Sequence, residues 1–159
     1  MAWISKLSLA CIFLSTLTFF SSCKKKSGCP DSLADNYIDG ATKDNGSCTY
    51  NNSKLSKAWL LTHYDVSGID STLEFLAQKP NFSISFFTEK TYKELYNPQP
   101  GVVLGKNGVW EFAENYTILK LTEKPSEYLR EFTVTDLGDT TLSIVLPGSL
   151  SRTYTFKAK

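Results

Sequence analysis

The chain has 159 residues, 42% of them hydrophobic and 13% aromatic, and a formal charge of +1. That length allows one domain plus additions, and the near-neutral balance gives no electrostatic footprint for nucleic acid, so none is expected as a partner. One His and one Met leave little material for a His-based catalytic centre or a buried metal site.

Met1–Lys6 carries one lysine, and Leu7–Phe20 is an apolar run of 14 residues. The run is shorter than the ~20 residues of a relaxed transmembrane helix and fits the ~7–15 residues of a secretory h-region. Ser21-Ser22-Cys23 follows. Small residues before a cysteine here resemble the lipobox of bacterial lipoproteins, with Phe20 where a leucine is usual, a variation associated with Bacteroidota. The resemblance implies that residues 1–22 are a lipoprotein signal peptide and that Cys23 is lipidated. A plain signal peptide cut after Ser22 is the alternative. Several acyl chains anchor stably where one does not, and Lys24, Lys25 and Lys26 would then sit at the headgroups, each gaining ~1 kcal/mol beside anionic lipid. The membrane, through this anchor, is the expected partner, and an outer-membrane lipoprotein of the cell envelope is the expected address. Its periplasmic face and the cell surface both stay open. From residue 27 onward the chain is mildly acidic, with 13 basic and 16 acidic residues.

Of the four cysteines, Cys11 leaves with the leader and Cys23 takes lipid. Cys29 and Cys48 remain, an even pair in an oxidising compartment, and a disulfide between them is expected. Such a bond closes a loop of about 20 residues and stabilises it by roughly 3 kcal/mol in the chain-entropy model. Only Leu33, Ala34, Tyr37, Ile38 and Ala41 inside it are apolar, too few for a core. The stretch resembles a small module of secreted and surface Bacteroidota proteins, carried here by Cys29, Asp31, Ala34, Asn36, Tyr37, Ala41, Asp44, Gly46, Ser47, Cys48 and Tyr50. Two roles compete. Asp31, Asn36, Asp39 and Asp44 offer oxygens of the kind Ca²⁺ takes, although no bidentate Glu closes the loop as a calcium hand requires. Alternatively the Asx side chains bond their own backbone and residues 23–54 form a lipid anchor and disulfide-stapled linker, with no cofactor. The stapled linker is the favoured expectation.

After Asn51-Asn52-Ser53, a polar joint, the sequence turns to period-two alternation, the signature of half-buried strands. Lys57–Val66 reads as a strand with Trp59, Leu61 and His63 on one face. Ile69–Gln78 is the one helical piece, with Ser71 and Glu74 at capping-box spacing and Leu73, Phe75 and Leu76 as its apolar face. Further strands are expected at Asn81–Thr88, Thr91–Tyr96, Val109–Ala113, Tyr116–Thr122, Glu127–Thr135, Thr140–Leu146 and Ser151–Lys159. Asn97–Gly108, with two prolines and three glycines, reads as a loop. The fold class is therefore all-β: about eight antiparallel strands in a meander, with one short helix after the first. Closure of an even number of strands removes exposed edges, giving a barrel, with a two-sheet sandwich as the competing architecture.

The order of pieces over residues 55–159 resembles the lipocalin-like domains of Bacteroidota lipoproteins. The carriers are Leu55-x-x-x-Trp59-x-Leu61, Gly108-x-Trp110 and Tyr154-x-Phe156, with Lys57 standing where a glycine is usual. The resemblance implies a β-barrel that is non-enzymatic and holds one small apolar or amphipathic ligand. It also implies a basic residue of the last strand, Arg152 or Lys157, packed on Trp59 as a cation–π pair.

No catalytic constellation stands out. His63 beside Trp and Leu reads as structural, and Glu111 and Glu114 read as solvated strand-end charges rather than a glycosidase pair. Arg130 and Arg152 each share a strand face with aromatics. If those faces point inward, the arginines suit a carboxylate or other anion, in a pocket lined by Trp59, Phe82, Phe86, Tyr128, Phe132 and Tyr154. Otherwise the aromatics are core and the arginine heads lie in water at a barrel mouth. A solid-cored interaction module of the envelope, with an unknown protein partner, is the alternative function. The state of the barrel interior separates the two: space opening at one end favours a ligand, whereas a filled centre disfavours one.

Overall fold

In the computed structural model, which describes residues 25–159, Cys29 and Cys48 are bonded, with Cα atoms 5.0 Å apart. The leader, Cys23 and Lys24 lie outside the described residues. The chain divides between Cys48 and Thr49 into two units.

In the first unit, Ser27–Gly28 pairs in parallel with Lys43–Asp44, and Cys29 is fully buried. The Asx side chains mostly serve the local backbone. Asp31 Oδ1 accepts from Leu33 N, Asp44 Oδ1 from Gly46 N and Asn45 Oδ1 from Ser47 N. These are the i to i+2 turns that Asp and Asn favour. Asn36 Nδ2 donates to Ser47 O, 2.6 Å away. Asp39 Oδ1 accepts from the Tyr37 hydroxyl, and that bond raises the tyrosine pKa. Among the described residues, no three His, Cys, Asp or Glu side chains converge as metal ligands.

The second unit is a closed barrel. Helix α1 (Asn51–Leu55) leads into strand β1 (Ala58–Val66). A two-residue strand, Ile69–Asp70, and helix α2 (Thr72–Gln78) follow. Then come β2 (Ser83–Phe86), β3 (Thr91–Gln99), β4 (Val102–Ala113), β5 (Ile118–Glu123), β6 (Leu129–Leu137), β7 (Thr141–Leu146) and β8 (Arg152–Ala158). Each of the eight long strands pairs antiparallel with the next, and β8 returns to β1 from Arg152↔Val66 to Ala158↔Trp59. Closure pairs each of the eight long strands on both sides, so the barrel, not the sandwich, is the architecture.

Period-two alternation supplies the core. Trp59, Leu61, Phe82, Ile84, Phe86, Tyr92, Trp110, Leu119, Leu121, Phe132, Leu142, Ile144 and Phe156 all point inward and are buried. Two buried indoles find backbone acceptors, Trp59 Nε1 at Leu55 O and Trp110 Nε1 at Phe87 O, as aromatic N–H groups require when buried. Gly108 lets β4 lie close to its neighbours. A methyl there would stand 2.0 Å from Thr122 O and 2.9 Å from Tyr92 Cε1.

Several local expectations are corrected. Asn51-Asn52-Ser53 is the start of α1 rather than a joint, and it delivers fully buried Leu55. On β1 the inward phase slips from Leu61 to Tyr64, leaving His63 exposed. The cause is a bulge: Phe156 pairs Leu61 and Thr155 pairs His63, so Thr62 is the extra residue. The helix begins at Thr72, and Ser71 makes no side-chain cap. Asp70 does that work instead, its Oδ1 accepting from Thr72 N at 2.9 Å and Thr72 Oγ1 at 2.5 Å. Leu73 is 82% exposed, whereas Phe75 and Leu76 pack on the core. The 97–108 loop is in fact a long hairpin, with strands meeting at Pro100–Gly101. Pro98 is accommodated because it falls in the irregularity between Tyr96↔Leu104 and Gln99↔Val102.

Candidate ligand site at one barrel mouth

The chain path opens one end of the barrel. After β1 ends at Val66, α2 intervenes before β2 begins at Ser83. Phe75 of α2 packs 4.5 Å from Tyr64, 5.2 Å from Phe82 and 6.1 Å from Tyr154, ring centre to ring centre. Lys79, just beyond α2, holds its ammonium 5.3, 5.6 and 5.8 Å from the ring centres of Phe75, Phe82 and Tyr96. Three rings around one cation form a cation–π arrangement.

Beneath this layer lies an ion pair. Arg130 of β6 faces inward and donates from Nη2 to Glu94 Oε1 at 2.6 Å and to the Tyr92 hydroxyl at 3.3 Å. Its side chain is 17% exposed and that of Glu94 only 8%. Burial works to lower the Arg130 pKa, but the Glu94 charge and hydrogen bond outweigh it and leave the value raised. The guanidinium is therefore a permanent cation. Burial also raises the Tyr92 and Tyr154 hydroxyls, keeping both protonated at neutral pH. Arg130 Nε is buried and has no acceptor among the described residues.

A cavity of about 40 Å³ sits at this pair, its walls including Ile84, Leu121, Phe132 and Tyr154. It shares Lys79, Phe82 and Glu94 with an outer hollow of about 250 Å³ that Tyr96, Leu104 and Lys106 complete. Together they form a funnel, wide at the rim and narrow at the ion pair. The inner chamber has room for a few water-sized groups, a water needing ~10–15 Å³ by the same measure. It is far below the ~300–1,000 Å³ of a pocket that encloses a drug-sized molecule.

Four residues expected in a pocket meet here: Phe82, Arg130, Phe132 and Tyr154. Four do not. Trp59 and Phe86 lie in the closed core, at 0% and 2% exposure, because their strand positions lie further from this mouth. Tyr128 precedes β6 and is 60% exposed. Arg152 opens β8 at its solvent end and is exposed. The expected partner of Trp59 is also different: Lys57, not Arg152 or Lys157, places its ammonium 5.4 Å from that ring. Phe75, Lys79, Ile84, Glu94 and Phe156 also line the inner chamber. Glu94 was missed, although its place two residues from buried Tyr92 on one strand puts both on the same face.

His63 is exposed, and Asp70 and Thr72 both approach its Nδ1, at 3.6 and 3.3 Å. An acid–base relay places acid and nucleophile on opposite ring nitrogens, so these three do not form one. Glu111 is exposed on β4.

No protein-family model matches the chain, and no curated protein does. Among the solved structures similar to it are two from Bacteroides species. One is a lipocalin-like protein from Bacteroides uniformis ATCC 8492, 14% identical, covering 67% of this chain and 99% of its own, with a TM-score of 0.51. The fold is a lipocalin-like barrel. The other is an uncharacterized protein from Bacteroides eggerthii DSM 20697, also 14% identical, covering 66% of this chain and 99% of its own, with a TM-score of 0.50. At this identity the likeness speaks to the lipocalin-like fold alone.

Proposed function

We propose that this protein is a non-enzymatic lipoprotein of the cell envelope, anchored through lipid on Cys23, whose lipocalin-like barrel binds a small amphipathic ligand at its open mouth. The observation that carries the binding role is the funnel: aromatic walls with a few convergent polar groups, Lys79, Glu94 and Arg130. Apolar concavities with few, placed polar groups are the usual form of small-molecule sites. The narrow inner chamber favours a ligand seated at the mouth over one enclosed in the barrel. In this proposal the Cys29–Cys48 segment is a disulfide-closed tether without a bound ion, supported by the turns that occupy its Asp and Asn oxygens.

A second role, a solid-cored interaction module, draws on the packed interior around Trp59, Phe86, Tyr92 and Trp110. Native mass spectrometry of the protein purified from the envelope separates the two. A co-purifying small molecule supports the ligand role, and its absence together with a co-purifying protein favours the module. Anchoring has its own test. Cys23→Ser should release the protein from the membrane fraction, and retention refutes the lipid.

A further inference from the structure

The funnel proposed above as a ligand site also carries information on ligand charge. Two cations and one carboxylate line it around the inner chamber: Lys79, Arg130 and Glu94. Glu94 is already matched by Arg130 through the 2.6 Å bond. At the rim Lys106 is matched by Glu123 at 2.7 Å. Lys79 has aromatic rings around it instead of a carboxylate. The lining therefore holds one positive charge in excess.

Donor geometry points the same way. Arg130 spends Nη2 on Glu94 and Tyr92, whereas its Nε is buried and has no acceptor among the described residues. A buried donor without an acceptor is destabilising, the more so when it is charged. An anionic oxygen entering the chamber would meet the side chains of both Lys79 and Arg130, which line it. The volume, about 40 Å³, suits a head of carboxylate size and no more. An apolar tail would then run outward along Phe82, Tyr96 and Leu104 in the outer hollow of about 250 Å³, room for a short chain or a single ring.

We infer that the mouth is selective for small amphipathic carboxylates, with Lys79 and the Arg130 guanidinium as the head-group cations. The inference rests on the mouth being a ligand site. The opposite assignment, an organic cation displacing Lys79 from its three rings, would bring positive charge against Arg130 and Lys79 together.

The test titrates the full chain with hexanoate, 1-hexanol and hexylamine, read by the ring resonances of Phe82 and Tyr154. Hexanoate is expected to bind at least tenfold more tightly than hexanol, the yield of about one charge-assisted hydrogen bond, and hexylamine more weakly than either. Lys79→Gln, a partly exposed substitution, should lower hexanoate affinity about tenfold and leave hexanol unchanged. Equal binding of acid and alcohol overturns the carboxylate assignment while the mouth remains a ligand site. Preference for the amine overturns it in favour of a cation site. No response of either ring to any of the three overturns both the assignment and the mouth as a small-ligand site.

Discussion

The ion pair at the mouth makes a quantitative test of what holds this end of the barrel together. Replacing Glu94 by Leu leaves the Arg130 guanidinium with only the Tyr92 hydroxyl, 3.3 Å away. Replacing Arg130 by Met leaves a carboxylate that is 8% exposed without a cation. Breaking one partner of a fully buried pair costs about 3–5 kcal/mol, and the 17% exposure of Arg130 brings each single substitution to about 2–3 kcal/mol. The double variant is apolar on both sides and fills similar volume. It should lie within about 2 kcal/mol of the parent, because an apolar replacement of a buried pair is often near neutral. The coupling is then about 3 kcal/mol, the upper end for contacting residues. Urea unfolding of the four proteins measures it, and each single variant should melt roughly 10 °C below the parent. Additive losses, with the double variant worst of all, would refute the claim that the two charges stabilise the barrel mainly by compensating each other.

Three further outcomes follow from the geometry. Gly108→Ala drives a methyl against Thr122 O and the Tyr92 ring, and backbone cannot yield as a flexible side chain can. A loss of about 2–3 kcal/mol in urea unfolding is expected, and a neutral result would remove close approach as the reason for glycine there. Asp70→Ala should lower the melting temperature more than Ser71→Ala, since Asp70 holds the first turn of α2. Hydrogen bonds from Thr72 lower the Asp70 pKa below its ordinary 3.8, so its contribution is present above that value and is lost as pH falls through the lowered one. The gap between Asp70→Ala and the parent should therefore close in melts run progressively below pH 4. Cys29→Ser with Cys48→Ser should expose residues 29–48 to protease while the barrel's unfolding midpoint stays unchanged; resistance of that segment would show that the staple is dispensable.

Most of the barrel was legible because its physics is local. Alternation on Asn81–Thr88 or Thr140–Leu146 puts Phe82, Ile84, Leu142 and Ile144 on one face whatever the partners are, and all four are buried. What failed needed information from a neighbouring strand. The slip on β1 that turns His63 outward depends on a bulge against β8. The hairpin through Pro98 and Pro100 was hidden because local turn chemistry reads as loop, whereas the ladder resumes across it. The cap of α2 was read one residue late for a similar reason. Ser71 fits the capping pattern, but it is Asp70 whose carboxylate accepts from the first helical residue, at Thr72 N.

The candidate site divides along the same line. Arg130 was visible as a charge sharing a strand face with aromatics, either inward or with its head in water at a mouth, and its side chain lies inward beside Phe132 with 17% exposure. Its partner was not, because Glu94 meets it 36 residues away in sequence, across the barrel from β3 to β6. Nor was Lys79 visible, since a lysine before a proline reads as a helix stop, and only the fold brings Tyr96 and Phe82 around it. The consequence is chemical. A lone inward arginine would be an open anion site, whereas an arginine already matched by a buried glutamate has its charge largely compensated. Selectivity at such a mouth then depends on the lining cation that, among the described residues, is surrounded by rings instead of a carboxylate. That places Lys79, rather than Arg130, as the residue whose charge should decide which head group is accepted.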